Sequence, residues 1–390
     1  MHTSPSLRSA LTPPRPQARR FALRALTASC ALACLAPISV LRAQEIPPIA
    51  PPGLSLPRIT LLSMGGTIAS QAKDRLNITN YGGKDNPRVD PEKWVKDLPD
   101  LALYARITTE DFRPPADAPA GGGTSYERLY AVAKRLQELA NDPNVDGVVV
   151  THGTNTMAET AWFMNLTVNI TKPVVYVGSQ RPWSGLSGDG PLNLLNAVRV
   201  AATPEAAGKG VLHAMNQNIN SARDVTKLSA YRMDTFRSID LGVMGVADPD
   251  KVVFFTAPTR RHTHTSEFNI NSLPPKLPDV EIAYAYTEAP GYILDAMVTA
   301  GVKGIIVDGT GAGSPTGGQT EAIKKAQAAG VIVAVTARTH GGRVQDTPRR
   351  RESGIIPADN LMPEKARMLL QLALAKTQDP KEIKRIFDEY

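Results

Sequence analysis

The 390-residue sequence predicts an α/β protein: a larger N-terminal domain built on a doubly wound, mostly parallel sheet, then a smaller C-terminal α/β domain. Three observations carry this. Short β-branched runs alternate with helical patterns, as chained βαβ units do. Several runs are continuously apolar, which fits strands covered on both faces. A polar stretch over 257–278 (APTRRHTHTSEFNINSLPPKLP) has no helical period and separates two sets of such units. Residues 58–256 and 279–390 are therefore expected to form the two domains, with 257–278 as their linker.

Taken in order, the first strand is RITLLS at 58–63, an apolar run closed by Ser63-Met64-Gly65-Gly66-Thr67. An amphipathic pattern at 125–140 predicts the helix that leads to VDGVVVTH at 145–152, whose three valines end in a hydroxyl-rich turn. A helix over 157–168 comes next, with Thr156 and Glu159 spaced as a capping box. Strands PVVYVG at 173–178, GVLHAM at 210–215 and KVVFF at 251–255 continue the N-terminal set, with a helix at 191–202 between the first two. The C-terminal set has strands at 280–286, 303–308 and 330–335 and helices at 291–300, 317–328 and 363–376.

The first 43 residues stand apart. They hold Arg8, Arg15, Arg19, Arg20, Arg24 and Arg42 and no acidic residue, and an apolar run from Phe21 to Leu41 exits at Ala43. A basic start, an apolar middle and a small-residue exit predict a secretory signal peptide over 1–43, with an uncleaved anchor as the alternative. Residues 44–57 read as a Pro-rich leader. The mature protein is then expected in the periplasm or outside the cell, with no membrane association. Without the signal, 38 basic residues face 37 acidic ones, which removes the electrostatic case for nucleic acid. Both cysteines, Cys30 and Cys34, fall in the signal, so no disulfide is expected in the mature chain.

Ligands in open α/β sheets bind at the carboxyl ends of strands. Two such ends carry chemistry here. Gly65-Gly66-Thr67 pairs a tight turn and unobstructed amides with a hydroxyl, as a nucleophile beside an oxyanion hole requires. Taken alone, the tripeptide fits a turn with an ordinary helix cap better. His152-Gly153-Thr154-Asn155 is polar where a cap needs only Thr156 and Glu159.

Together "MGGTIAS" and "THGTNTMAET" resemble the paired signatures of the bacterial type II L-asparaginase family, which includes glutaminase-asparaginases. "GSQRPWSGLSGDGPLNLLNAVRVAA", "SARDVTK" and the C-terminal "PEKARMLLQLALAKTQDPKEIKRIFDEY" extend the resemblance over 58–390. It implies an amidohydrolase that converts L-asparagine to L-aspartate and ammonia, with L-glutamine as a further candidate substrate. By resemblance Thr67 is the nucleophile, and the backbone N–H groups of Gly66 and Thr154 form the oxyanion hole. The Thr154 hydroxyl and Lys227 move protons, and Tyr81 is the tyrosine of the mobile loop. A Thr hydroxyl is a poor nucleophile without such a base or cation. The family needs no cofactor and no metal, and its sites are completed across subunits, which implies a homotetramer built as a dimer of dimers. Glu288 falls near one of those contacts.

Departures from the family pattern bear on the substrate. Asn155 stands where the family usually has an aspartate that holds the substrate's α-ammonium beside the lysine. Thr109 and Glu110 match the residues that bind the α-carboxylate and amine, and Glu110 is a candidate to restore the missing charge. Three readings stay open: a weaker enzyme of the same kind, an amidase for a related amide, or a periplasmic amino-acid-amide binding protein. His262 and His264 form an isolated His-x-His expected on solvated surface rather than on a metal. The turn from Asp308 to Gly313 lacks the spacing of a dinucleotide-binding loop.

Overall fold

The structure, a computed structural model, describes residues 55–82, 87–113 and 125–390. The expected signal peptide, nearly all of the Pro-rich leader and parts of two loops lie outside them.

Residues of the N-terminal region form an eight-stranded sheet from β1 (Arg58–Ser63), β2 (Arg106–Asp111), β3 (Gly147–Thr151), β4 (Val174–Val177), β5 (Val211–Met215), β6 (Asn218–Ser221), β9 (Gly245–Ala247) and β10 (Val252–Phe254). A separate hairpin pairs β7 (Val225–Lys227) with β8 (Phe236–Ser238). The sheet order is β10-β9-β6-β5-β4-β3-β1-β2. From β2 to β5 all pairings are parallel, and those from β5 to β10 are antiparallel. The chain runs from β1 to β2 on one side, then crosses back over β1 to β3, so the order reverses at β1. That switch point opens a crevice at the carboxyl ends of β1 and β3, where Ser63 and Thr151 are register partners.

The helices of this region are α1 (Pro91–Asp97), α2 (Tyr126–Asn141), α3 (Met157–Thr167) and α4 (Gly190–Ala202). α4 packs along β1, β3, β4 and β5, while α3 lies against β5, β7 and α2. Every residue of β3, β4 and β5 is buried, as their unbroken apolar runs require. The expected capping box at α3 is not formed: the Thr156 side chain makes no capping bond, and the first turn closes through Thr160 N–H to the Thr156 carbonyl at 2.9 Å.

The smaller sheet orders β11 (Val280–Tyr284), β12 (Gly304–Gly309), β13 (Ile332–Ala337) and β14 (Ile356–Pro357), all parallel. Its helices are α5 (Tyr292–Thr299), α6 (Gly317–Ala328), α7 (Pro348–Ser353), α8 (Pro363–Lys376) and α9 (Pro380–Glu389). The two faces of β12 belong to different cores: Ile305 and Val307 pack with Leu294 and Ala322, while Ile306 joins the core that holds Leu369 and the large sheet. α8 also packs on α3. The stretch 257–278 is not loose: it forms turns at Thr263–Thr265 and Ile270–Ser272, and it buries Phe268, Ile270 and Leu277.

Candidate active site

β1 delivers the chain into Gly65 and Gly66, both at φ 90°. A Cβ on Gly66 would lie 2.3 Å from Gly153 Cα and 2.4 Å from Gly153 N. Only glycine therefore lets the loops leaving β1 and β3 meet. Met64 N–H closes the same junction by donating to the Thr151 carbonyl at 2.8 Å. Thr67 comes at once, half-buried, with its Oγ1 3.0 Å from the Tyr81 hydroxyl. Tyr81 comes from a loop whose stem is pinned: Trp183 N–H donates to Ser70 O and Leu186 N–H to Arg75 O, each at 2.8 Å. The Ala72 N–H also donates to Ser184 Oγ at 2.9 Å.

β3 delivers the second half. Thr154 is buried, and its Oγ1 accepts from Lys227 Nζ at 2.8 Å. The same ammonium donates to the exposed Asn155 Oδ1 at 3.4 Å. Lys227 closes β7 and is half-buried, and burial lowers its pKa from the ordinary lysine value. A carboxylate at position 155 would oppose that fall, but the neutral amide does not. Among the described residues the N–H groups of Gly66 and Thr154 donate to no backbone carbonyl. His152 is buried, and desolvation pulls its pKa down to about 4. Its Nδ1 lies 2.7 Å from the Gly153 carbonyl, which can only accept, so that nitrogen carries the proton of a neutral ring.

The other expected residues are placed differently. Glu110 does not offer a free charge beside Asn155: Arg135 of α2 grips its carboxylate at 2.9 and 2.7 Å. Alternation along β2 turns Thr109 and Glu110 to opposite faces, and the Thr109 hydroxyl donates to Glu92 of α1 at 2.8 Å. Glu288 is exposed at φ 60°, in the turn after β11.

Sequence reasoning missed the braces of this site. Asp189 accepts from the Gln180 and Arg181 N–H groups at 2.9 and 3.0 Å and so shapes the loop that pins the Tyr81 stem. Arg113, whose stem would be 3.4 Å from a Cβ on Gly65, bonds both Asp111 and Asp90. A single Asp before a Gly-Pro helix start was a readable signal for the first; nothing in the local pattern marked the second.

Among the described residues no group of three or more His, Cys, Asp or Glu side chains could hold a metal. His262 is not solvated surface as expected. It is buried, with Nδ1 2.9 Å from Thr263 Oγ1, and burial lowers its pKa to about 4. Near the end of β12, the buried Asp308 accepts from Thr336 Oγ1 at 2.9 Å.

Fold and site together place the chain among α/β proteins that carry a hydroxyl–lysine constellation at the switch point of a parallel sheet. Comparison narrows this. The family model for the N-terminal region of asparaginase matches residues 58–260, and that for the glutaminase/asparaginase C-terminal domain matches 279–387. L-asparaginase 2 of Bacillus subtilis is 41% identical over 337 residues, covering 86% of this chain and 87% of the relative. Glutaminase-asparaginase of Pseudomonas fluorescens is 38% identical over 339 residues, covering 86% and 91%. A crystal structure of the probable cytoplasmic L-asparaginase from Campylobacter jejuni superposes with a TM-score of 0.80 at 38% identity, covering 86% of this chain and all of that one. The chain belongs to the asparaginase family.

Proposed function

We propose that the protein hydrolyses the side-chain amide of L-asparagine to L-aspartate and ammonia, with L-glutamine as a further candidate substrate. The observation that carries this reading is the pair of contacts at adjoining strand ends: Thr67 Oγ1 to Tyr81 OH at 3.0 Å, and Lys227 Nζ to Thr154 Oγ1 at 2.8 Å. One hydroxyl has a partner able to relay its proton, and the other is held by an amine whose burial favours the neutral, basic form.

Thr67 Oγ attacks the amide carbon as its proton passes to the Tyr81 oxygen and the Tyr81 hydroxyl proton moves on to the amide nitrogen, while the carbonyl oxygen becomes an oxyanion facing the Gly66 and Thr154 N–H groups. Collapse breaks the C–N bond, and the nitrogen, carrying that proton, departs as ammonia. Water, deprotonated through Thr154 and Lys227, attacks the acyl-threonine ester and releases the acid. Asn155 holds the substrate's α-ammonium, while Thr109 and Glu110 brace β2 through Glu92 and Arg135. A second subunit, contributing the Glu288 turn, completes the site in a homotetramer. Export to the periplasm follows from the signal peptide read at 1–43. Among the described residues no helix is long and apolar enough to cross a membrane.

Ammonia release from L-Asn, L-Gln and their D-forms tests the reading, with Thr67→Ala as control. Turnover of an L-amide that Thr67→Ala abolishes is expected. No turnover of any of the four amides would sink it in favour of a binding protein.

A further inference from the structure

Lys365, the third residue of α8, is fully buried. Its Nζ donates to three main-chain carbonyls: Ala222 at 2.9 Å, Arg223 at 2.8 Å and Val225 at 2.5 Å. Ala222 and Arg223 lie in the turn between β6 and β7, Val225 opens β7, and Lys227 sits two residues beyond it. The Lys365 carbonyl in turn accepts from Trp162 Nε1 at 3.1 Å. Trp162 lies in α3, the helix that starts just past Thr154 and Asn155. One residue of the C-terminal region thus touches the elements that bring in both halves of the Lys227–Thr154 pair. Burying an ammonium is unfavourable unless its donors are met, and here each of the three meets a carbonyl. The same turn is held a second time from the C-terminal region, where Asn360 Oδ1 accepts from Arg223 at 2.8 Å.

We propose that Lys365 is a positioning residue for Lys227: its three hydrogen bonds fix the β6–β7 turn and so hold the catalytic amine at bonding distance from Thr154. This rests on the reading of Lys227 as the group that moves protons. Only the ammonium form has three donors; a neutral amine keeps two and turns a lone pair toward a carbonyl. Loss of the Lys365 proton therefore releases the turn and lowers kcat.

Burial brings the Lys365 pKa down to about 8. Glu364 on its own helix, Asp224 in the turn and Glu159 on α3 oppose that fall, while Arg223 adds to it. His213 on β5 faces the ammonium as well and stays neutral, its pKa held down mainly by burial and further by Lys365. The sign for stability is opposite to that for activity. With the folded-state pKa below the unfolded one, the unfolded chain binds more protons between the two values, so this group makes stability rise with pH above about 8. Activity falls over the same interval.

The test uses the full mature chain as wild type, Lys365→Met, Lys365→Gln and Lys227→Met. It follows kcat and KM for L-asparagine and thermal melts over about pH 6–10. Wild type is expected to lose kcat through pH of about 8 with KM nearly constant, while its melting temperature gains over Lys365→Met. Folded Lys365→Met is expected to show kcat lower by about 10- to 100-fold and no such limb. A folded Lys365→Met with wild-type kcat and the wild-type limb would overturn the proposal. Should that variant not fold, Lys365→Gln and the wild-type profile decide: kcat unchanged through the limb region overturns it. Turnover retained by Lys227→Met removes the functional reading and this proposal with it, whereas turnover lost there but kept by folded Lys365→Met overturns this proposal alone.

Discussion

Asn155→Asp probes the site at its most unusual position. The substitution puts a carboxylate oxygen where Asn155 Oδ1 now lies, 3.4 Å from Lys227 Nζ. At that separation a unit charge attracts the ammonium by about 2–5 kcal/mol for effective dielectrics of roughly 20 to 40. Asn155 is exposed and Lys227 half-buried, so screening reduces this to about 1–3 kcal/mol. The carboxylate then moves the Lys227 pKa back up. Burial lowers that pKa in the natural protein, and a carboxylate would restore it. On the proposed mechanism the neutral amine activates water for deacylation, so the acid limb of kcat for L-asparagine should shift to higher pH. KM should move the other way: a charge-assisted bond to the α-ammonium is worth about 1–3 kcal/mol, or roughly a tenfold to hundredfold fall. Steady-state ammonia release across pH measures both. An unchanged acid limb and an unchanged KM would refute the placement of residue 155 between lysine and substrate.

Tyr81→Phe removes the 3.0 Å contact to Thr67 Oγ1, so kcat should drop by about 10²-fold or more with the melting temperature little changed; a kcat within twofold or so of wild type would assign Tyr81 to packing. Gly66→Ala sets a Cβ 2.3 Å from Gly153 Cα at φ 90°, and denaturant melts should show a loss of about 3 kcal/mol or more. Glu110→Gln breaks half of a partly exposed pair with Arg135, so stability should fall by about 1 kcal/mol at most while KM for L-asparagine stays put; a large rise in KM would return Glu110 to the substrate.

The strand ends were legible because the chemistry there sits on local pattern. Continuous apolar runs mark β1, β3, β4 and β5, and the polar residues at the end of each run fall at the carboxyl edge of the sheet. Of the antiparallel pieces, β10 was legible as the apolar run KVVFF, but β7, β8 and β9 were not. Each of those has only three residues, too few for period-two alternation to stand out. β2 reads RITTED and is mostly half-exposed at the sheet edge, so no apolar run announced it. Glu110 shows the limit of matching by eye: its neighbours in sequence fit a substrate site, but Arg135 lies 25 residues on and brings a fork that claims the carboxylate. Lys365 was invisible for a related reason. In PEKARMLL a lysine between an acid and an alanine reads as the solvent face, and only the packing of α8 on α3 closes water away from it.

The central claim is that Thr67 becomes acylated. Rapid acid quench of the mature protein during turnover of isotope-labelled L-asparagine, then proteolysis and mass spectrometry, tests it most directly. The expected result is a labelled aspartyl ester on the peptide holding Met64–Ser70, located on Thr67 and absent from Thr67→Ala, which makes no ammonia. A Thr67→Ala protein that turns over at the wild-type rate, or label carried on another residue, would contradict the account.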